Sequence, residues 1–448
     1  MGSGIARKEA VPLFRLSPLL KSALLTTALS LLLRLSGLLV NSRLAALMGA
    51  EGMGLLQLAL NVETLAVALA ASGIRFSVTR LVAEELSPAG SGDPEGVMRA
   101  ALRYALGFGG LAALLLIALA PAAAAFAGDR RLTLSLLVFA PGLPCLAAGS
   151  VFAGYFTAVF RPWKASFSQA AEQLVAFGVT LALLPRLPEG RPELCCAVFA
   201  FGASAADLCS LGISYILYKG EGRGLAPRRK SGQGARLLRL SLPLAFSSYA
   251  RTALSTLQHL LVPRMLRRSG ASAAEALSVY GVVGGMVFPV LGFASVFFGA
   301  LSDLLIPELT GAQLRGDRAA MERTAGRILS SCLLFSAAAV AVLFLLGPWL
   351  GRRLYRSAEA GSYLRLLAPL VTVMYLDSVV DGMLKGLGLQ LSSMFINLAD
   401  AVLTLASVCF LLPRFGVRAY IAVIYLSECF NFLLSWLRLR RAVTIKLL

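Results

Sequence analysis

Residues 171–186 read AEQLVAFGVTLALLPR and residues 399–414 read ADAVLTLASVCFLLPR. The two stretches stand 228 residues apart, close on the same Leu-Leu-Pro-Arg, and set Glu172 against Asp400 inside apolar runs. The same offset superimposes Leu136 on Leu364, Ala140 on Ala368, Pro141 on Pro369, Gly154 on Gly382 and Phe167 on Phe395. Nearer the start of each half, an offset of 221 aligns Arg43 with Arg264. The chain reads as a duplication.

The repeated unit follows from composition. Of 448 residues, 58% are hydrophobic and 15% charged, with a mean hydropathy of +0.77; a soluble chain has about 45–50% apolar and about 25% charged residues. Apolar runs of bilayer length, about 20 residues, fall near 18–40, 53–72, 97–119, 132–158, 163–184, 194–218, 238–262, 277–300, 324–347, 362–384, 389–412 and 419–437. Trp163, Trp349 and Trp436 stand at run ends, where an aromatic belt places them. Twelve runs predict an all-α polytopic membrane protein. Its expected divisions are a six-helix lobe over 1–218, a basic linker over 219–237 and a second six-helix lobe over 238–448. Six is even, so both copies enter the membrane in the same direction, as a parallel repeat. Two such lobes enclose a cavity on their pseudo-twofold axis, and rocking opens it to each side in turn. That favours a transporter over a channel or an anchor.

The net charge is +19. On a soluble protein it would raise nucleic-acid binding, but here the basic residues sit between apolar runs and act on topology and anions. Most fall on the side of the termini, which predicts a multi-pass protein of the cytoplasmic (inner) membrane with both termini in the cytoplasm. Four lie inside runs: Arg34, Arg103, Arg251 and Arg365. The middle stretch with Lys219, Arg223, Arg228, Arg229, Lys230, Arg236 and Arg239 reads as a flexible connector that fixes topology or meets anionic lipid. The first run is too long for a signal-peptide core and contains Arg34, so it is expected to remain as a membrane helix. Seven cysteines show neither CxxC nor Cys/His ligand spacing, so no metal site or disulfide framework is expected. No Walker A loop, HExxH or GxSxG occurs, which argues against an enzyme.

Three stretches carry a resemblance: SGLLVNSRLAALMGAEGMGLLQLALNVETLAVALAASGIRFSVTRLVAEE (36–85), AGYFTAVFRPWKASFSQAAEQLV (153–175) and DGMLKGLGLQLSSMFINLADAVLTLASVCFLLPRFG (381–416). With the helix count and the repeat, they make the chain resemble the stage V sporulation protein B-like family of polysaccharide flippases. That family lies within the multidrug/oligosaccharidyl-lipid/polysaccharide exporter (MATE-like) superfamily. The resemblance implies a flippase for polyprenyl-diphosphate-linked saccharide, a precursor of peptidoglycan or polysaccharide, working beside cell-wall or polysaccharide synthesis proteins. It implies no cofactor beyond a coupling proton or sodium ion. Related lipid II flippases carry several arginines in a central cavity; here Arg34 on run 1 and Arg251 on run 7 stand on corresponding helices. A multidrug or cation antiporter of the same fold, and a non-transporting sporulation or envelope assembly protein, remain alternatives.

A charge at the bilayer centre costs at least about 2.5–3.5 kcal/mol on insertion scales, so each one needs a reason. Arg34 and Arg251 offer forked, permanently charged donors that suit a diphosphate. Seven acids also lie inside runs: Glu63, Glu172, Asp207, Asp377, Asp381, Asp400 and Glu428. Ion coupling requires a carboxylate whose affinity differs between the two conformations. Glu172 and Asp400, repeated at one depth, are candidates, with Asp377, Asp207 and Glu63; each acid is equally suited to locking one helix to the next. Asp377, Asp381 and Lys385 share a helix face, and Asp381 is placed to pair with Lys385. His259, the single histidine, is expected near the outer end of run 7 as an interfacial polar residue. Pro141, Pro369 and the glycines of run 8 (Gly281, Gly284, Gly285, Gly292, Gly299) supply either bends or close packing.

Overall fold

The structure, a computed structural model, describes residues 18–87, 93–188, 190–221, 233–293, 309–313 and 315–443. The first lobe holds α1 (Pro18–Ala71), α2 (Ile74–Leu86), α3 (Pro94–Ala127), α4 (Leu132–Phe139), α5 (Gly142–Ala158), α6 (Pro162–Leu183) and α7 (Pro192–Lys219). The second holds α8 (Gln233–Arg268), α9 (Ala273–Gly281), a π-helical turn (Val282–Val287), α10 (Phe288–Leu291), α11 (Arg318–Tyr355), α12 (Ala358–Leu367), α13 (Leu370–Gly386) and α14 (Gln390–Ala442). No strand occurs among the described residues.

Helix starts follow from local chemistry. Asp93 accepts from the Gly96 amide with Pro94 in the first turn of α3, and Ser272 and Glu275 form a reciprocal capping box on α9. Asp317 and Ser357 cap α11 and α12 in the same way.

Among the described residues seven helices are long and apolar enough to cross a membrane, and two bent pairs raise the number to nine. The bends are 42° between α4 and α5 and 57° between α12 and α13. Pro141 and Pro369 stand at these breaks, so the prolines repeated in the sequence do mark repeated bends. At 54 and 53 residues, α1 and α14 are far longer than a bilayer is thick. Each breaks at one glycine with positive φ, Gly49 (66°) and Gly416 (59°), which divides it into two arms. Counting the arms separately and including α8 is compatible with the twelve crossings expected. The sequence places loops after Val40 and after Leu412, whereas helix continues to a single-residue break in both places.

Within the first lobe α6 packs on α7, and α3 and α2 on α5; within the second α8 and α13 pack on α14, and α11 on α12. The lobes meet through α1 with α9 and α8, and through α3 with α8. Clearance at the end where α1 turns is nil. A Cβ at Gly281 would stand 2.1 Å from the Ala50 carbonyl oxygen and 2.3 Å from the Gly54 nitrogen, so here run 8's glycines serve close packing. Beside this contact Arg267 donates to the Ala127 and Gly128 carbonyls at 3.1 Å, and Arg264 lies 5.3 Å over the Phe126 ring. A second-lobe helix thus caps the C-terminus of first-lobe α3, where helix carbonyls favour cations. At the other end of α8, Arg236 pairs with Glu84 at 2.8 Å and Glu85 at 3.2 Å.

The linker expectation falls mainly on residues 222–232, including Arg223, Arg228, Arg229 and Lys230, which lie outside the described residues, as do 294–300 of run 8. Helix α8 already begins at Gln233.

Candidate functional site

In the first lobe Ser168 on α6 donates to the Ser210 carbonyl at 2.9 Å and lies 2.8 Å from the Ser214 hydroxyl, both on α7. One turn along α6, Glu172 faces Ser210. Glu172 and Asp207 line one cavity of about 250 Å3 together with Arg75, Cys145 and Gln169. Gly142 lets α5 approach the Asp207 carboxylate, which a Cβ there would meet at 2.5 Å. Glu63, on the second arm of α1, lies within electrostatic range of Asp207. The structure therefore brings two of the expected acids, Glu172 and Asp207, to one cavity.

The second lobe uses hydroxyls and amides. Asp400 accepts from Ser427 at 2.8 Å and Thr404 at 3.4 Å. Asn431 donates to Asp377 at 3.4 Å and to Asn397 at 3.3 Å, and Asn397 donates to the Ser393 carbonyl at 2.9 Å. Asp381 accepts from Ser393 and pairs with Lys385 at 2.5 Å, the ion pair expected from their spacing. The other carboxylate oxygen of Asp377 is buried and has no hydrogen-bond partner among the described residues.

These networks correspond more closely than the sequence reading found. At the 228 offset Lys164 falls on Ser392 and Gln169 on Asn397; at the 221 offset Asp207 falls on Glu428, Ser210 on Asn431 and Ser214 on Ser435. The reading left Glu428 without a counterpart. The signal was available, since 221 is the offset that aligns Arg43 with Arg264.

The membrane-edge joints of these helix pairs also correspond. Glu221, just past α7, accepts from Lys164 at 2.6 Å, Tyr155 at 2.9 Å and Arg161 at 3.0 Å. Burial opposes ionisation of this carboxyl, but those donors, Lys164 foremost, outweigh it and hold it below the usual carboxylate range. In the second lobe Arg438 donates to Ser392 at 3.0 Å.

Between the lobes lies a cavity of about 370 Å3, lined by Gln57 and Asn61 of α1, Gln258 and His259 of α8, Tyr280 of α9 and Glu428 of α14. Asn61 donates to the Gln57 carbonyl at 2.7 Å and to the Tyr280 hydroxyl at 3.1 Å, and that hydroxyl lies 3.2 Å from His259 Nδ1. His259 is therefore not the interfacial residue expected at the outer end of its run. Helix α8 continues nine residues beyond it, to Arg268, and its ring sits in the interlobe cavity.

Arg34 donates to the Gly292 carbonyl at 2.6 Å, joining α1 to the residue just past α10. Arg251 is exposed on α8 and makes no hydrogen bond among the described residues.

Residues 19–274, more than half the chain, match the family described as polysaccharide biosynthesis protein, and the chain belongs to that family. It is similar to stage V sporulation protein B of Bacillus subtilis (strain 168), 24% identical over 86% of this chain and 76% of that one. It is also similar to sporulation protein YkvU of the same organism, 21% identical over 82% of both. Among solved structures it superimposes on the inward-facing conformation of a multidrug resistance MATE family transporter of the MOP superfamily. That match has a TM-score of 0.69 and 14% identity over 92% of this chain and 98% of the other. An outward-facing conformation of such a transporter matches with a TM-score of 0.63 and 16% identity, over 95% and 96%. The fold is thus of the MATE type, and the chain is a multi-pass membrane protein.

Proposed function

We propose that this chain is a flippase that carries a polyprenyl-diphosphate-linked saccharide, a precursor of peptidoglycan or polysaccharide, across the cytoplasmic membrane by alternating access. The observation that carries the reading is a polar cavity between two lobes that are packed without clearance at one end, with partly buried acids in each lobe. Family membership supports a saccharide cargo, and the match to inward- and outward-facing conformations of one fold supports rocking about the sealed contact. The lobes fall at 1–218 and 238–448 about the basic linker, and the excess of Lys and Arg on the side of the termini supports a cytoplasmic location for both.

In this reading Arg34 and Arg251 hold the diphosphate, converging as the lobes move. Glu172 and Asp207, with Glu63 near, supply the coupling carboxylates of the first lobe; in the second, Asp377 carries an unpartnered oxygen, whereas Asp400 is tied by two hydroxyls. Proteins that make or polymerise the saccharide are the natural partners at the membrane.

The test is purified protein in liposomes containing fluorescent undecaprenyl-diphosphate saccharide, with leaflet-specific quenching under an imposed pH or sodium gradient. Gradient-dependent translocation is expected, falling at least about tenfold in an Arg34→Ala, Arg251→Ala double variant that inserts normally. Full activity in that variant overturns the diphosphate site. Absence of translocation overturns the flippase reading and moves weight to a cation antiporter, which the clustered acids would equally serve.

A further inference from the structure

The interlobe cavity differs in chemistry from the arginines. Neither Arg nor Lys lines it, and its polar groups are three amides (Gln57, Asn61, Gln258), the His259 imidazole, the hydroxyls of Tyr280, Tyr420, Thr404 and Ser427, and one acid, Glu428. Amide and imidazole groups offer donors and acceptors together, as a sugar hydroxyl requires of its partner, whereas a diphosphate accepts only and is repelled by an acid. Asn61, Tyr280 and His259 are held by one another. The Gln57 and Gln258 side chains and the Glu428 carboxylate make no hydrogen bond among the described residues, so their hydrogen-bonding capacity faces the cavity. Tyr280, Tyr420 and Phe288 add aromatic surface, and the volume of about 370 Å3 lies in the range of small-ligand pockets.

Position completes the argument. Gly284 and Phe288 line the cavity, while Gly292, the residue that Arg34 holds, lies eight residues beyond Gly284 and farther from the sealed end. At about 1.5 Å per residue, the cavity and the arginine are spaced along one chain segment as a head group and its diphosphate would be. A head group entering from the open end would lead with its sugar.

We infer that the cavity formed by Gln57, Asn61, Gln258, His259, Tyr280 and Glu428 is a saccharide subsite that reads the head group's hydroxyls, separate from the diphosphate contact. This rests on the flippase reading above. Its test is equilibrium binding to the full chain in nanodiscs of undecaprenyl diphosphate, bare or carrying N-acetylglucosamine or galactose. Wild type is expected to bind at least one sugar-bearing carrier about tenfold or more tighter than the bare one. A Gln57→Leu, Gln258→Leu double variant is expected to bind bare and sugar-bearing carriers alike, and Tyr280→Phe to narrow the difference. The Arg34→Ala, Arg251→Ala variant should weaken all carriers and keep the ratio between them.

Undiminished preference in the glutamine double variant overturns the subsite and leaves the flippase reading intact. So does displacement of the sugar-bearing carrier by tetraphenylphosphonium that is lost in Glu428→Gln, which would make the cavity a cation site. Failure to bind any carrier overturns both.

Discussion

Helices α6 and α7 of the first lobe and the two arms of α14 in the second descend from one helix pair, and they hold together by different chemistry. In the first lobe serines join the helices, and Glu172 and Asp207 open on a cavity. In the second, Asn431 donates to Asp377 and Ser427 and Thr404 donate to Asp400, with Asn431 also tied to Asn397. At the membrane edge the first lobe closes with Lys164 on Glu221, the second with Arg438 on Ser392, so the cation has moved to the other helix of the pair. Duplication preserved where polar groups sit, and divergence changed which of them are satisfied. A carboxylate already bound by fixed donors gains little from a travelling ion, whereas one on a cavity is available to it.

That contrast breaks most readily in transport. A Glu172→Gln, Asp207→Asn variant is expected to lose gradient-driven flipping by at least about tenfold, Asp377→Asn by less, and Asp400→Asn by under about threefold, because an amide oxygen still accepts from Ser427. Liposome assays under a pH or sodium gradient decide it, and the reverse order would make the second lobe the coupled one.

Stability sharpens the comparison further. Asn431→Leu removes the donor shared by Asp377 and Asn397 and is expected to cost about 1–3 kcal/mol in thermal unfolding. Ser210→Ala in the first lobe should cost less than about 1 kcal/mol, because Ser168 keeps Ser214 and the Ser210 carbonyl.

The joint at Glu221 gives the contrast a pH dependence. Glu221→Gln is expected to cost about 1–3 kcal/mol at neutral pH by leaving Lys164 buried beside a neutral amide. Because the folded-state carboxyl is held below its ordinary value, its contribution is present above about pH 4 and lost as pH falls through the lowered value. Melting curves of wild type and variant should therefore converge on acidification, while Arg438→Gln in the second lobe shows no such convergence. The smallest effect belongs to Lys385→Ala, which breaks a half-exposed pair with Asp381 and should change stability by under about 0.5 kcal/mol.

Bilayer-length runs and the 228-residue repeat made the helices and their duplication legible, because both are periodic properties of the chain. The breaks at Gly49 and Gly416 were not, since a single left-handed glycine inside a helix leaves the flanking composition unchanged. Acid positions were legible from their rarity in apolar runs. The partners of Asp400 and Asp377 were not, because Ser427 and Asn431 come from the second arm of α14, beyond the Gly416 break, while Asp400 stands on the first arm and Asp377 on α13. His259 was misplaced for a related reason: run 7 fades in hydropathy before its helix ends, so the apparent outer edge lies inside the bundle.

The clamp of Arg264 and Arg267 on the end of α3 grips main-chain carbonyls, so the first-lobe half of that seal is nearly silent in sequence. Apart from Phe126, whose ring lies under Arg264, substitutions along the last turn of α3 leave its main-chain acceptors in place, and correlated mutation between the lobes has little else to register there. What the seal senses is whether that turn stays wound. Fraying the helix end beside Gly128 would unlatch the lobes without altering a single charged residue.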